Sequence, residues 1–583
     1  MCGIAGIVAP NGQRPDPAAL ARLSDALAHR GPDGRGDYIR DNVGLIQTRL
    51  AIIDLEGGRQ PILDGDGRAI VANGEIYNYL ELKAELADVA FATGSDSEPP
   101  LHLYAREGLA FARRLRGMYA LAIHDPAARR VVLARDPFGI KPLYVAEGAF
   151  GLAFASEPAA LVRAGLVAAR VDAQALRELL QLQFTCGADT IFPGIRRVLP
   201  GEMLVVEDGR VVETRRLPAL PENGAERGDT ETLLERLDRV LMDSVEMHQR
   251  ADVPYGMFLS GGIDSSALLS MMARLNPRPV LAYTAGFPGT GVHDERAHAR
   301  ALARAVGAEH VEVEFAETDF WRLLPRVAAA MDDPAADYAC LPTYLLAERA
   351  RADVKVILAG EGGDELFGGY GRYRGAMRPW PFAKSMRRTG TFDGLDVLRP
   401  APEGWRTRFA AAERASRRPH WSRLQMAQAT DCADWLPNDL LIKADRCLMH
   451  NGVEGRVPFL DPEVARFAFA LPDKWKVRGN SGKWLLRLWL DRALPAARPF
   501  DKKRGFTVPV AEWIAARPEL GDLVARQPAI AEIAAPDAVR ALFKSCGKNT
   551  GFACWTLLFY ALWHRVHIDG RGPQGDVFDM LSA

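Results

Sequence analysis

Phe258-Leu259-Ser260-Gly261-Gly262-Ile263-Asp264-Ser265-Ser266 joins an apolar run to a stretch of helical character. Residues 253–259 read as a strand and 265–275 as an apolar helix, with a Gly/Ser turn between them. Backbone N–H groups at a glycine turn and a helix N-terminus favour phosphate. The Ser hydroxyls add donors, and Asp264 can hold Mg²⁺. The G-K-[ST] ending of a Walker A loop is missing. Outward from this loop, residues 280–287, 309–315 and 354–358 read as further strands separated by helical stretches. That alternation predicts a parallel sheet with helices on both faces. Beyond about residue 375 the chain reads as mostly helical.

The first 215 residues have a different rhythm. Short apolar runs at 44–53, 69–76, 118–124, 130–135 and 152–156 are broken by Gly, Asp or Pro and read as strands. Residues 217–230 are polar, carry Pro and Gly, and read as a linker. The expected division is a domain over 1–215, the linker, and a second domain over 231–583. A chain of 583 residues is too long for one core. Hydrophobic residues make up 48% and charged residues 25%, with a formal net charge of −1. That balance lacks the basic excess of a nucleic-acid binder. The N-terminus has no signal-peptide pattern, and the apolar run 552–563 is too short to span a bilayer and reads as a buried helix. Seven cysteines without a C-x-x-C pair suit the reducing cytosol, so the expected location is cytoplasmic, with no membrane and no nucleic-acid partner.

The chain opens Met1-Cys2-Gly3-Ile4-Ala5-Gly6. Removal of Met1 would put an α-amine, of reference pKa about 7.7–8.0, beside the Cys2 thiol. A thiol and a base on one residue make a self-contained nucleophile. His29-Arg30-Gly31-Pro32-Asp33-Gly34, Arg49, Asn73-Gly74-Glu75-Ile76-Tyr77-Asn78, Ser95-Asp96-Ser97-Glu98, Arg135 to Tyr144 (RDPFGIKPLY) and Phe154-Ala155-Ser156-Glu157 follow. Together these resemble the class II glutamine amidotransferases, whose glutaminase domain has the N-terminal-nucleophile αββα fold. The resemblance implies that Cys2 attacks the glutamine amide and that Asn73 and the Gly74 N–H form the oxyanion hole. It implies further that Arg49 clamps the α-carboxylate, while Glu75 and Asp96 hold the α-amino end.

The Ser260 to Ser266 loop resembles the pyrophosphate loop of the N-type ATP pyrophosphatases, S-G-G-x-D-S-S. Gly360-Glu361-Gly362-Gly363-Asp364-Glu365 resembles the matching segment of the asparagine synthetases. The resemblance implies ATP contacts from Leu259, Ser260, Gly261, Gly262, Asp264, Ser265, Ser266 and Gly360. It implies Mg²⁺ on Asp264 and Asp364, and Glu361 facing the reacting acyl group. Asp501-Lys502-Lys503-Arg504-Gly505-Phe506 resembles the family's lysine-bearing loop, and Lys503 aligns with its catalytic lysine beside the neighbouring Lys502. Gly452 to Asp461 (GVEGRVPFLD) also matches a family segment, but its charges are expected to be structural. The implied reaction hydrolyses glutamine, activates a carboxylate with ATP as an acyl-adenylate, and passes ammonia between the sites. Aspartate is the leading acceptor, giving asparagine, AMP and pyrophosphate. Another carboxylate on the same architecture is the alternative. A homodimer is the family-based expectation. Residues 375–430 and 525–550 carry no motif.

Overall fold

The computed structural model describes residues 2–222, 226–292, 294–379, 381–400, 403–501 and 507–582. The first 216 residues build two six-stranded sheets. One runs Ile195–Arg197, Tyr144–Gly148, Gly151–Ala155, Gly3–Val8, Val43–Arg49 and Gly34–Arg40, paired antiparallel throughout. The other runs Arg210–Arg216, Glu202–Glu207, Arg130–Arg135, Gly117–Asp125, Ala69–Ile76 and Ile62–Leu63, also antiparallel. The two-residue period of a strand sorts side chains between faces. Ile4 and Val8 point into the apolar layer between the sheets, with Val71, Ala122 and Leu133. Ala5 and Ile7 point the other way, against the helix Pro17–Ala26 through Leu20 and Leu23. Helix Pro99–Glu107 covers the far face of the second sheet through Leu101 and Tyr104. The result is the αββα sandwich that the resemblance implies.

The second architecture is a five-stranded parallel sheet in the order Glu309–Glu314, Leu281–Gly286, Tyr255–Phe258, Val356–Leu358 and Glu454–Arg456. The first of these strands in the chain, Tyr255–Phe258, lies in the middle, so successive strands are added outward on both sides of it. A ligand crevice therefore opens beyond the carboxyl ends of Tyr255–Phe258 and Val356–Leu358. Four of the five strands were legible in the sequence. The fifth, Glu454–Arg456, was not, because three residues with two charges show no strand pattern.

The C-terminal part is helical. Gly551–His567 is buried along nearly its whole length and packs on Ala173–Leu182 of the first architecture. Its indoles are satisfied: Trp555 Nε1 donates to the Ala336 carbonyl at 2.6 Å and Trp563 Nε1 to the Met331 carbonyl at 2.8 Å. Buried ion pairs join the same two parts. Arg30 bonds Asp445 at 2.8 and 3.0 Å and Arg197 bonds Asp333 at 2.6 Å across the boundary, while Arg30 also bonds Glu157 at 2.8 Å within the first part and Arg446 bonds Asp332 at 2.6 Å within the second. Truncating one partner of such a pair costs about 3–5 kcal/mol, so Arg30 fixes the two halves as well as its own turn. Among the described residues no helix is long and apolar enough to cross a membrane, and all seven cysteines are free.

Candidate active site

At one end of the sandwich three strand termini converge. Cys2 precedes the central strand Gly3–Val8, Arg49 ends its neighbour Val43–Arg49, and Asn73 and Gly74 lie in Ala69–Ile76 of the facing sheet. The Cys2 backbone nitrogen donates to Asn73 Oδ1 at 3.2 Å. That contact leaves Asn73 Nδ2 buried and without a partner, as an oxyanion donor requires. Gly74 has φ 151°, and a Cβ there would stand 2.0 Å from the Met118 carbonyl oxygen, so glycine alone fits. Burial raises the Cys2 thiol pKa, against the opposing pull of the Leu50 amide and the Arg49 guanidinium. The thiol is therefore protonated at neutral pH and needs a base.

Arg49 is fixed by its own loop, donating to the carbonyls of Leu55 at 2.9 Å, Ile53 at 3.2 Å and Asp54 at 2.6 Å. Glu75 and Asp96 are both buried. Asp96 Oδ2 accepts from the Ile76 amide at 2.8 Å, yet burial still raises its pKa to about 6. Burial and the nearby Asp96 push Glu75 well above the usual carboxylate range, and its Oε2 has no partner. Two buried carboxylates that resist ionisation call for a cationic ligand.

The nucleotide loop is folded on itself. Ser260 and Ser265 hydroxyls lie 3.1 Å apart, the Gly262 amide donates to Ser260 Oγ at 3.3 Å, and Gly261 has φ 70°. The Thr284 hydroxyl anchors the Leu259 carbonyl at 2.6 Å. Ser266 Oγ is buried without a partner. Gly360 and Gly363 let the second loop press against the first: a Cβ on Gly360 would stand 2.9 Å from Asp264 Cβ, and one on Gly363 2.5 Å from Asp264 Oδ1. Asp264 and Asp364 are thereby drawn onto one point.

Lys483 fills that point. It is buried, with left-handed backbone at φ 57°, and its ammonium bonds Asp264 and lies 2.7 Å from Asp364. Burial opposes its charge, but the two carboxylates outweigh it and raise its pKa. Sequence reading missed Lys483, because Gly482-Lys483-Trp484 has no informative spacing to either acid. Lys502 and Lys503 lie outside the described residues. A cavity of about 550 Å³ opens beside these groups, bounded by Ser260, Asp264, Gly360, Glu361 and Asp364 at one end. Glu361 is raised by burial, opposed by Lys443, and its Oε2 is unpartnered.

The two sites are linked through the edge strand of the parallel sheet. Arg456 lies 3.2 Å from Glu75 and bonds Glu454 at 2.6 Å. Its carbonyl accepts from the Ala359 amide at 2.9 Å, one residue before Gly360. A small cavity of about 40 Å³ lies beside this strand, lined by Lys141, Thr343, Glu361, Asp445 and Gly455. The Arg456 charge, expected to be only structural, thus reaches into the glutamine-type site.

Known proteins share both halves. The glutamine amidotransferase domain model matches residues 1–216, and the asparagine synthase model matches residues 236–565. A Mycobacterium tuberculosis (strain ATCC 25618 / H37Rv) protein provisionally named a glutamine-hydrolyzing asparagine synthetase is 34% identical, over 98% of each chain. Glutamine-hydrolyzing asparagine synthetase 1 of Bacillus subtilis (strain 168) is 31% identical, again over 98% of each. Asparagine synthetase B of Escherichia coli (strain K12) is 30% identical over 84% of this chain and 79% of its own. With the αββα sandwich, the Ser260 to Ser266 loop and near full-length similarity in agreement, this chain belongs to the glutamine-hydrolysing asparagine synthetase family.

Proposed function

We propose that the protein makes asparagine from aspartate, ATP and glutamine, with a glutaminase unit over 1–215, a linker over 217–230 and a synthetase unit over 231–583. The observation that carries this reading is the pairing of two incomplete sites in one chain. One has buried carboxylates awaiting an ammonium and an unpartnered amide donor. The other has two acids closed on a cation beside a cavity.

Loss of Met1 frees the Cys2 amine, which stays held by Asn73 Oδ1 and takes the thiol proton as the sulfur attacks the amide carbon. Charge developing on the amide oxygen goes to Asn73 Nδ2 and the Gly74 N–H. Arg49 orients the α-carboxylate, and Glu75 with Asp96 the α-ammonium. The amine passes that proton to the amide nitrogen, the C–N bond breaks to release ammonia, and water then frees glutamate from the Cys2 thioester. In the second unit Ser260, Gly261, Gly262, Ser265 and Ser266 cradle the ATP phosphates, with Leu259 and Gly360 beside the nucleoside. Asp264 and Asp364 suit Mg²⁺, since two carboxylates already meet at one cation position. The aspartate side-chain carboxylate attacks the α-phosphorus as the bond to pyrophosphate breaks, and Lys483 and Lys503, with a metal held by Asp264 and Asp364, would neutralise the leaving group. Glu361 takes a proton from the ammonia nitrogen once it has attacked the acyl carbon. The small cavity lined by Lys141 and Gly455 also borders Glu361, and Arg456, next to Gly455 in the chain, contacts Glu75. Seven free cysteines suit work in the cytosol.

The test is product analysis of purified protein with Mg²⁺, ATP, glutamine and aspartate. Asparagine, AMP and pyrophosphate in equal amounts are expected. Glutamate and ammonia without asparagine would remove aspartate as the acceptor.

A further inference from the structure

The large cavity extends beyond the phosphate loop to Arg387, which belongs to the motif-free stretch 375–430. It is lined there by Gln183, Asp337, Arg387, Trp435, Asp439 and Lys443. Arg387 has left-handed backbone at φ 46° and is sunk among rings, its guanidinium 4.3 Å from the Trp435 centroid and 5.1 Å from that of Phe184. Its Nε is buried with no hydrogen-bond partner, and no carboxylate pairs with it among the described residues. Three neighbouring cations are engaged: Arg372 on Asp431 at 2.7 Å, Lys443 on Asp337 at 2.8 Å, and Arg406 on Glu413 and the Met386 carbonyl. A buried guanidinium left unpaired is costly unless an anion meets it during the working cycle. The planar fork suits a carboxylate.

The opposite charge faces it across the same space. Asp439 is fixed through one oxygen by the Trp435 indole N–H, while its Oδ1 is buried without a partner. Trp435 thus stacks on Arg387 and holds Asp439, setting a cation and an anion beside each other. One carboxylate-binding and one ammonium-binding group, with Glu361 further along the cavity, match the two ends of an α-amino acid whose side-chain carboxylate reaches the acyl-transfer position.

We propose that Arg387 and Asp439 form the acceptor subsite, Arg387 binding the α-carboxylate and Asp439 the α-ammonium of a dicarboxylic amino acid. The assignment rests on aspartate as the acceptor and gives residues 375–430 a role in selecting it. Arg387 is a specificity residue: it touches the part of the substrate that does not react.

The experiment compares aspartate with β-alanine, which keeps the reacting carboxylate and the amine but lacks the α-carboxylate. A site built to bond a group rejects the analogue lacking it, here by on the order of 100-fold or more in kcat/KM. In Arg387→Ala the preference is expected to collapse to below about tenfold, mainly through a raised KM for aspartate. Arg387→Lys, which keeps the charge without the fork, should fall between. AMP release with saturating ammonia is the readout. A merely structural Arg387 would depress both acceptors alike, and that result, or a loss confined to ATP affinity, overturns the subsite. If the unaltered protein consumes neither acceptor, the asparagine reading falls and the subsite with it. If it makes asparagine and both variants keep the full preference, only the subsite falls.

Discussion

The two sites solve the burial of charge in opposite ways. The glutaminase site leaves part of its polar set open: Arg456 meets one oxygen of Glu75 at 3.2 Å, but Glu75 Oε2 and Asn73 Nδ2 have no partner among the described residues. The phosphate end of the synthetase site is closed on itself, with Lys483 clamped between Asp264 and Asp364. An open site is complementary to a small zwitterion that brings its own charges. A self-paired site can wait for a polyanion and its metal without leaving two half-buried carboxylates in repulsion. The difference explains why one cavity needs no internal lysine and the other does.

Substitutions should break this contrast in order. Cys2→Ala is expected to abolish glutamine-driven asparagine formation, a loss of about 10⁴-fold or more, while ammonia-driven formation persists in a coupled AMP assay. Equal loss with both nitrogen sources would mean that the sites are not separable. Asn73→Ala should lower glutaminase kcat by about 10²–10³-fold with little change in glutamine KM. A KM effect alone would make Asn73 a ground-state contact. Lys483→Ala uncovers two facing carboxylates and should cost about 3–5 kcal/mol of stability, read by thermal unfolding. Mg²⁺ should restore part of the loss, and indifference to the metal would argue against a shared cation position.

The smallest effect sharpens the comparison by pH. Burial raises Asp96 to about 6, so below that pH the free site carries a neutral carboxyl and cannot pair with an ammonium. Glutamine affinity should therefore fall by up to about tenfold per unit as pH drops below about 6. Calorimetric titration of Cys2→Ala, which binds without turnover, checks this. In Asp96→Asn binding should be weaker and the step near pH 6 should disappear. An unchanged profile would remove Asp96 from the ammonium site.

Much of this was legible from the chain because the relevant residues are contiguous. Asn73 and Gly74 sit in one strand, and Ser260 to Ser266 run from a glycine turn into a helix start, so each is a short motif whose family resemblance implies its role. Strand positions fell within a few residues of the observed ones where apolar runs were bounded by Gly or Asp. Lys483, Arg456 and Arg387 were not legible as functional groups. Each reaches partners far off in sequence: Lys483 meets Asp264 and Asp364 only through the folding of the second unit, while Arg456 meets Glu75 through its packing on the sandwich. The strand Glu454–Arg456 was hidden for a related reason: its place is fixed by pairing with Val356–Leu358, not by its own pattern.

The central claim is that the two sites run one reaction inside one molecule. The direct measurement supplies amide-¹⁵N glutamine, aspartate and ATP together with a several-fold excess of unlabelled ammonium, and follows ¹⁵N in asparagine by mass spectrometry. Internal transfer past the Arg456 strand predicts enrichment well above that of the bulk ammonia pool at early times. Enrichment equal to the pool would show that nitrogen leaves the protein before it is used, and would contradict the account.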